Sequence, residues 1–182
     1  MDAARESFAH KGFAATTIRG VAAAAGVDPA LVHHYFGTKD ELFIAAMEIP
    51  VDPRVLIPTV FAGGVDGSGE RLLRAFLGVW EDPAARLPLI ALVRTSLGEG
   101  GPENLLREGM LRLVLGPLLS VLPAVEADRR AQLVVSQLLG LVVGRYVLRL
   151  EPLASMTADE LVSWVGPTVQ RYLDGPLDGI EG

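Results

Sequence analysis

Cysteine is missing from all 182 residues, which excludes disulfides and thiolate metal sites and fits a cytosolic protein. Histidine is scarce too, with only His10, His33 and His34. His33 and His34 are adjacent, which on a helix turns them about 100° apart, and no third ligand lies near them. No metal and no cofactor is therefore expected. A glycine-rich phosphate loop and a nucleophile elbow are also lacking, so an enzyme finds little support. The longest uncharged apolar stretches are Leu113–Val125, broken by Pro117 and Pro123, and Ala131–Gly144. Both fall short of the ~18 residues that suggest a membrane span. No basic-then-apolar leader precedes the first helical pattern, so no export signal is expected and the cytoplasm is the expected compartment.

Positive charge is short as well. The formal net charge is −6, and up to Ala46 the chain sets Arg5, Lys11, Arg19 and Lys39 against Asp2, Glu6, Asp28, Asp40 and Glu41. A segment that is not net positive should hold phosphate weakly, because counterion release scales with the phosphates neutralised. Alternation of period two is also missing over any convincing length, whereas apolar residues recur at helical spacing throughout. The expected fold is all-α.

What is present is concentrated between Thr16 and Leu42, TTIRGVAAAAGVDPALVHHYFGTKDEL. Thr17 suits an N-cap, its side-chain oxygen taking an orphan backbone N–H. Ile18, Val21, Ala22 and Ala25 give the following helix an apolar face. Gly26 ends it where a left-handed residue is needed. Pro29 opens the next helix, to which Leu31, Val32 and Tyr35 give an inward side. Small Ala22 lets two steeply crossed helices approach, so the pattern is that of a helix-turn-helix, with an αα corner in a helical core as the competing reading. Thr38-x-x-Glu41 forms a capping box at the start of a further helix, an N-terminus suited to phosphate and strengthened by Lys39.

The set Gly12-Phe13, Thr16-Thr17-Ile18, Val21-Ala22, Ala25-Gly26-Val27, His34-Tyr35-Phe36, Lys39 and Leu42-Phe43 closely resembles the DNA-binding domain of the TetR family. The likeness runs from about Ala4 to Ala46 and is architectural beyond residue 50. It implies a homodimeric regulator that binds double-stranded DNA and is released by a small molecule. The helix from Pro29 to Tyr35 would then lie in the major groove. Asp28, Pro29, Ala30, His33, His34 and Tyr35 become candidate DNA contacts, with Thr17, Arg19 and Lys39 beside them. His33 stands where many members carry a phosphate-touching Tyr; a neutral imidazole can donate one hydrogen bond to phosphate or accept one from a base edge. No Arg or Lys lies in this helix, so bidentate guanine contacts must come from elsewhere. Arg19 is either a DNA contact or a solvated charge.

The remaining chain reads as helices. The first spans Ala3–Lys11, stopped by Gly12, with Ala4 and Phe8 inward. Proline and glycine interrupt residues 50–69, though Val55-Leu56-Ile57 and Val60-Phe61 mark part of that stretch as buried. Helices then follow over Glu70–Asp82, from Pro83 to the glycines at 98–101, and from Pro102 to about Leu122 with a kink at Gly116-Pro117. The longest runs Glu126–Leu150 and the last Thr157–Leu173, kinked at Gly166-Pro167. The expected division is a helix-turn-helix DNA-binding domain over 1–48 and a helical ligand-binding and dimerisation bundle over 49–182. Trp80, Arg94, Met110, Arg145, Tyr146 and Trp164 are the candidate effector-pocket residues; each also has a plain reading as core or ion pair. An apolar lining favours a lipophilic effector. Ser136, Gly140 and Gly144 repeat small residues every fourth position, and Leu141, Leu148, Leu161, Val165 and Val169 extend apolar surface around two helices. These are the candidate dimer contacts, although the glycines could equally face a helix of the same chain.

Three classes of function follow: a ligand-responsive DNA-binding repressor; an enzyme; and a ligand- or protein-binding dimer of the same fold whose acidic head no longer binds DNA well. The first is the expected one.

Overall fold

The computed structural model describes residues 1–97, 109–123 and 125–176, with only the backbone at 95–97, 110 and 111. Among the described residues there are ten α-helices and no strand. They are α1 (Asp2–Ala15), α2 (Ile18–Ala25), α3 (Pro29–Phe36), α4 (Lys39–Ala46), α5 (Pro53–Phe61), α6 (Ser68–Glu81), α7 (Pro83–Leu97), α8 (Gly116–Val121), α9 (Ala127–Leu141) and α10 (Ala158–Asp174). Two π-helical segments, Met110–Leu115 and Val142–Val147, precede α8 and follow α9. The chain divides into two compact units. One holds Met1–Asp52 and Asp82–Leu113, the other Pro53–Glu81 and Val114–Gly182. The segment Asp82–Leu113 therefore groups with the N-terminal head.

In the first unit, Phe8, Phe13 and Phe43 form an aromatic trio with ring centroids 5.0–5.7 Å apart. Phe8 and Phe43 are 0% and 1% exposed, and burying each stabilises by on the order of 2–3 kcal/mol. Val21, Ala22, Val32, Leu42 and Ala46 close around them, and Leu113 joins the same core from the distant segment. Gly12 breaks α1 with φ 74 and ψ 173, and one further turn follows it. Thr16, 1% exposed, satisfies its hydroxyl by donating to the carbonyls of Gly12 (2.7 Å) and Ser7 (3.0 Å).

The helix-turn-helix forms as its local signals dictate. Thr17 Oγ1 accepts from Gly20 N–H at 3.0 Å. Gly26 takes φ 68, its N–H bonds Ala23 O, and Val27 N–H bonds Ala22 O, the double closure of a Schellman motif. Only glycine adopts that φ without strain. Ala22 at 0% exposure sits at the crossing. Ala25, by contrast, is exposed.

The second unit is organised by α6 and α10. They approach so closely at Gly69 that a Cβ there would lie 2.6 Å from the backbone nitrogen of Gln170. The Gln170 amide ties this contact, accepting from Gly69 N–H (2.7 Å) and donating to Val65 O (3.0 Å). Leu73, Leu77, Leu118, Val134, Leu161, Val169 and Leu173 fill the core.

Proline explains most departures from the expected boundaries. Residues 53–61 are helical rather than a broken loop: Pro53 opens α5, and Pro58 costs a single bond in a nine-residue helix. The kink expected at Gly116-Pro117 is a π-helical segment ending where Pro117 enters α8. The longest helix also widens into π geometry after Leu141. α10 stays helical through Pro167. The glycine stop at 98–101 and the start at Pro102 lie outside the described residues.

Candidate nucleic-acid interface

On α3 the inward stripe is Val32, 7% exposed, with partly buried Phe36 four residues on. Leu31 and Tyr35, expected inward, are 47% and 71% exposed. A helix touching its neighbours along one narrow line buries i and i+4 only, and Leu31 and Tyr35 stand about 100° off that line. Asp28, Pro29, Ala30, His33 and His34 are exposed with them, so the sequence-derived contact face is open.

Several of these groups already have partners. Asp28 accepts from Ala30 N–H at 2.7 Å and so serves first as the N-cap of α3. His33 Nδ1 lies 2.6 Å from Gly37 O. Thr17, exposed, accepts from Gly20 and keeps its hydroxyl hydrogen available for a phosphate oxygen.

Lys39 is engaged differently from expectation. Its ammonium donates to Phe13 O (2.8 Å), Ala14 O (3.3 Å) and Thr16 O (2.9 Å), and stands 4.4 Å from the Phe13 ring centroid. All three hydrogens are taken by carbonyls at the end of α1, where a cation also meets the negative end of the helix dipole. The capping box Thr38–Glu41 is present in both directions. On the other side of Phe13, Arg112 places its guanidinium 4.8 Å from the ring and bonds Asp40 at 2.6 Å. Nothing local in the sequence marks Arg112, whose partner Asp40 lies 72 residues away. Arg5 is paired with Asp2 and Glu48 and donates to Ala46 O at 2.8 Å. Arg19 and Lys11 are exposed and carry no ion pair among the described residues.

The effector-pocket candidates separate. Trp80 stacks on Tyr146 at 5.3 Å and 21°, the two being 7% and 6% exposed. Tyr146 Oη donates to Glu81 Oε1 (3.0 Å). Arg145, 8% exposed, donates to Glu81 (2.8 Å), Leu153 O (2.6 Å) and Ala154 O (3.1 Å). Burial, ahead of its charged neighbours, pushes the Tyr146 phenol up to about 12. These three side chains and Glu81 are thus committed to one another. Trp164 is 73% exposed on α10 and Arg94 is exposed on α7, so neither joins them. The Met110 side chain lies outside the described residues. Elsewhere in this unit an open groove of about 420 Å³ runs between α6 and α10, where Arg74 is neutralised by Glu70 (2.9 Å) and Asp159 (2.7 Å).

A family model described as "Tetracyclin repressor-like, C-terminal domain" matches residues 66–173, and one described as "Bacterial regulatory proteins, tetR family" matches residues 1–46. The chain belongs to the TetR family. The crystal structure of a TetR-family regulator from Streptomyces coelicolor is 40% identical, with a TM-score of 0.58, covering 94% of this chain and 91% of that one. The HTH-type transcriptional regulator BetI of Brucella anthropi is 34% identical over 105 residues, 58% of this chain and 46% of BetI. BetI of Rhizobium meliloti is 47% identical over 47 residues, 26% of this chain and 23% of that protein. The chain thus spans less than half the length of the curated relatives it matches.

For a TetR-family chain, the placement of the expected dimer contacts needs correction. Leu141, Leu161 and Val169 are 5%, 0% and 0% exposed, buried in this chain's own core. Gly144 is buried too, with a would-be Cβ 2.9 Å from Leu153. Val165 packs partly against the same core. These helices have one apolar side against α6 and α8 and a second, separate one outward. The outward side keeps Ser136, Gly140 and Leu148 from the expected set, and adds Leu133 and Trp164.

Proposed function

We propose that this protein is a DNA-binding transcriptional regulator that acts as a homodimer in the cytoplasm. In this reading it represses from a near-palindromic operator and is released by a small lipophilic effector. The observation that carries the reading is α3. It is held by a single buried stripe, capped by Asp28 and Pro29, and open along Ala30, His33, His34 and Tyr35. A helix so mounted fits the major groove. Residues 1–48 then read DNA, and 49–182 sense and pair.

Pairing is supported by apolar surface that one protomer leaves in water: Leu133 at 43%, Leu148 at 60% and Trp164 at 73% exposure, beside the small Ser136 and Gly140. A two-fold pair built there would present its two α3 helices to half-sites about 34 Å apart. The relatives named as transcriptional regulators agree with the reading.

One observation favours a second reading, a ligand- or protein-binding dimer with a weakened head. Lys39 and Arg5 are used within the fold, and Asp28 sits at the start of α3. Enrichment of duplexes from fragmented genomic DNA by the purified protein separates the two. The regulator enriches a near-palindrome with a measurable salt dependence, whereas the weakened head enriches nothing.

A further inference from the structure

His33 and Gly37 are joined by two hydrogen bonds in opposite directions. Gly37 N–H donates to His33 O at 2.8 Å, and His33 Nδ1 meets Gly37 O at 2.6 Å. A carbonyl oxygen only accepts, so Nδ1 carries the hydrogen. Residue 37 is poorly replaceable: it has φ 68, and a Cβ would collide with the Glu41 carboxylate, itself committed to the Thr38 capping box. The carbonyl therefore stays aimed at the ring, and the tautomer is fixed by the backbone.

With Nδ1 protonated, neutral His33 offers DNA only an acceptor, Nε2. Phosphate oxygens are acceptors, and so are guanine N7 and O6 and thymine O4. In the major groove only adenine N6 and cytosine N4 present N–H donors. His33 is exposed, and Ala30, three residues earlier on the same face of α3, carries only a methyl beside it. From this geometry we infer that His33 is a specificity-determining residue that accepts a hydrogen bond from the exocyclic amine of an adenine or cytosine, and is not a phosphate contact. The inference rests on the DNA-reading function proposed above.

The test uses the full chain and duplexes that it enriches from a random pool. Wild-type protein and His33→Ala each select from that pool. At one position per half-site, wild type should prefer adenine or cytosine on one strand and the variant should lose that preference alone. Removing the amine in the DNA, with purine for adenine or pyrimidin-2-one for cytosine, should weaken wild type about tenfold and leave His33→Ala unmoved. The DNA substitution needs no protein variant, so it holds even if His33→Ala folds poorly. The inference is overturned if His33→Ala keeps the same motif but binds every duplex more weakly with a shallower salt slope. That would mean an imidazolium on phosphate. If wild type enriches no motif, the DNA-reading function itself fails and takes the inference with it.

Discussion

Replacing Lys39 by Met separates a structural lysine from a DNA-binding one, because the thioether keeps the apolar stem and removes only the ammonium. The structure assigns that ammonium three carbonyl acceptors, Phe13, Ala14 and Thr16, at 2.8, 3.3 and 2.9 Å, and a place over the Phe13 ring. Bonds to a charged donor contribute about 1.5–3 kcal/mol each when well shielded, but this one is only partly buried and the freed carbonyls can take up water. A net loss of about 2 kcal/mol is expected, which in a chain of this length lowers Tm by about 4–8 °C. Circular-dichroism melts of wild type and Lys39→Met give that number directly. DNA titrations over a salt series give the other half: the slope of log affinity against log salt should stay unchanged in the variant. A lysine serving phosphate would instead leave Tm in place and reduce the slope by about 0.9 per protomer. That second pattern would assign the Lys39 ammonium to DNA instead of to the end of α1.

Arg19→Ala should behave in the opposite way, lowering the salt slope by about 0.9 per protomer with Tm held, as measured in the same titrations. With Lys11 and Arg19 as the exposed cations of residues 1–48 that carry no ion pair among the described residues, a pair of such segments neutralises about four phosphates. Affinity should then fall only about 10²-fold between 50 and 200 mM salt, shallow for an operator binder. Leu148→Asp, at a residue 60% exposed, should convert dimer to monomer in sedimentation velocity while each protomer stays folded. Leu161→Ala, at 0% exposure, should instead cost about 2–5 kcal/mol of stability. Tyr146 gives a test in alkali. Its folded pKa is raised to about 12 from an ordinary value of 10.0, so its contribution is whole below pH 10. About 2–3 kcal/mol is then lost as the pH climbs from 10 to 12. Denaturant titrations should show that loss in wild type and not in Tyr146→Phe.

The helix-turn-helix was legible because its signals are local. A cap at Thr17, a left-handed glycine at Gly26 and a proline at Pro29 act within a few residues of where they stand. The face of α3 was only half legible. Leu31, Val32 and Tyr35 are alike in apolar character, and which one turns inward depends on a neighbour that periodicity over eight residues does not locate. The same limit applies to the residues expected to pair. Apolar residues all round α9 and α10 suggest two contacts, yet Leu141, Leu161 and Val169 are buried in this chain's own core while Leu148 is exposed. Proline and glycine marked where helices change, as at Pro117, but not that the change is to π geometry.

Charge was the least legible property, since a cation's partner can lie 26 residues away, as for Lys39, or 72, as for Arg112. Counting charges up to Ala46 suggests a head short of phosphate contacts; knowing their partners makes the shortage larger. Lys39 closes the end of α1, and Arg5 ties α1 to Ala46 and Glu48. Non-specific affinity depends almost wholly on phosphate neutralisation, whereas base readout depends on hydrogen bonds and fit in the groove. A head built this way loses more of the first than of the second. Binding to arbitrary DNA should therefore be weak, and discrimination should rest on hydrogen-bonding groups of α3 such as His33 and His34.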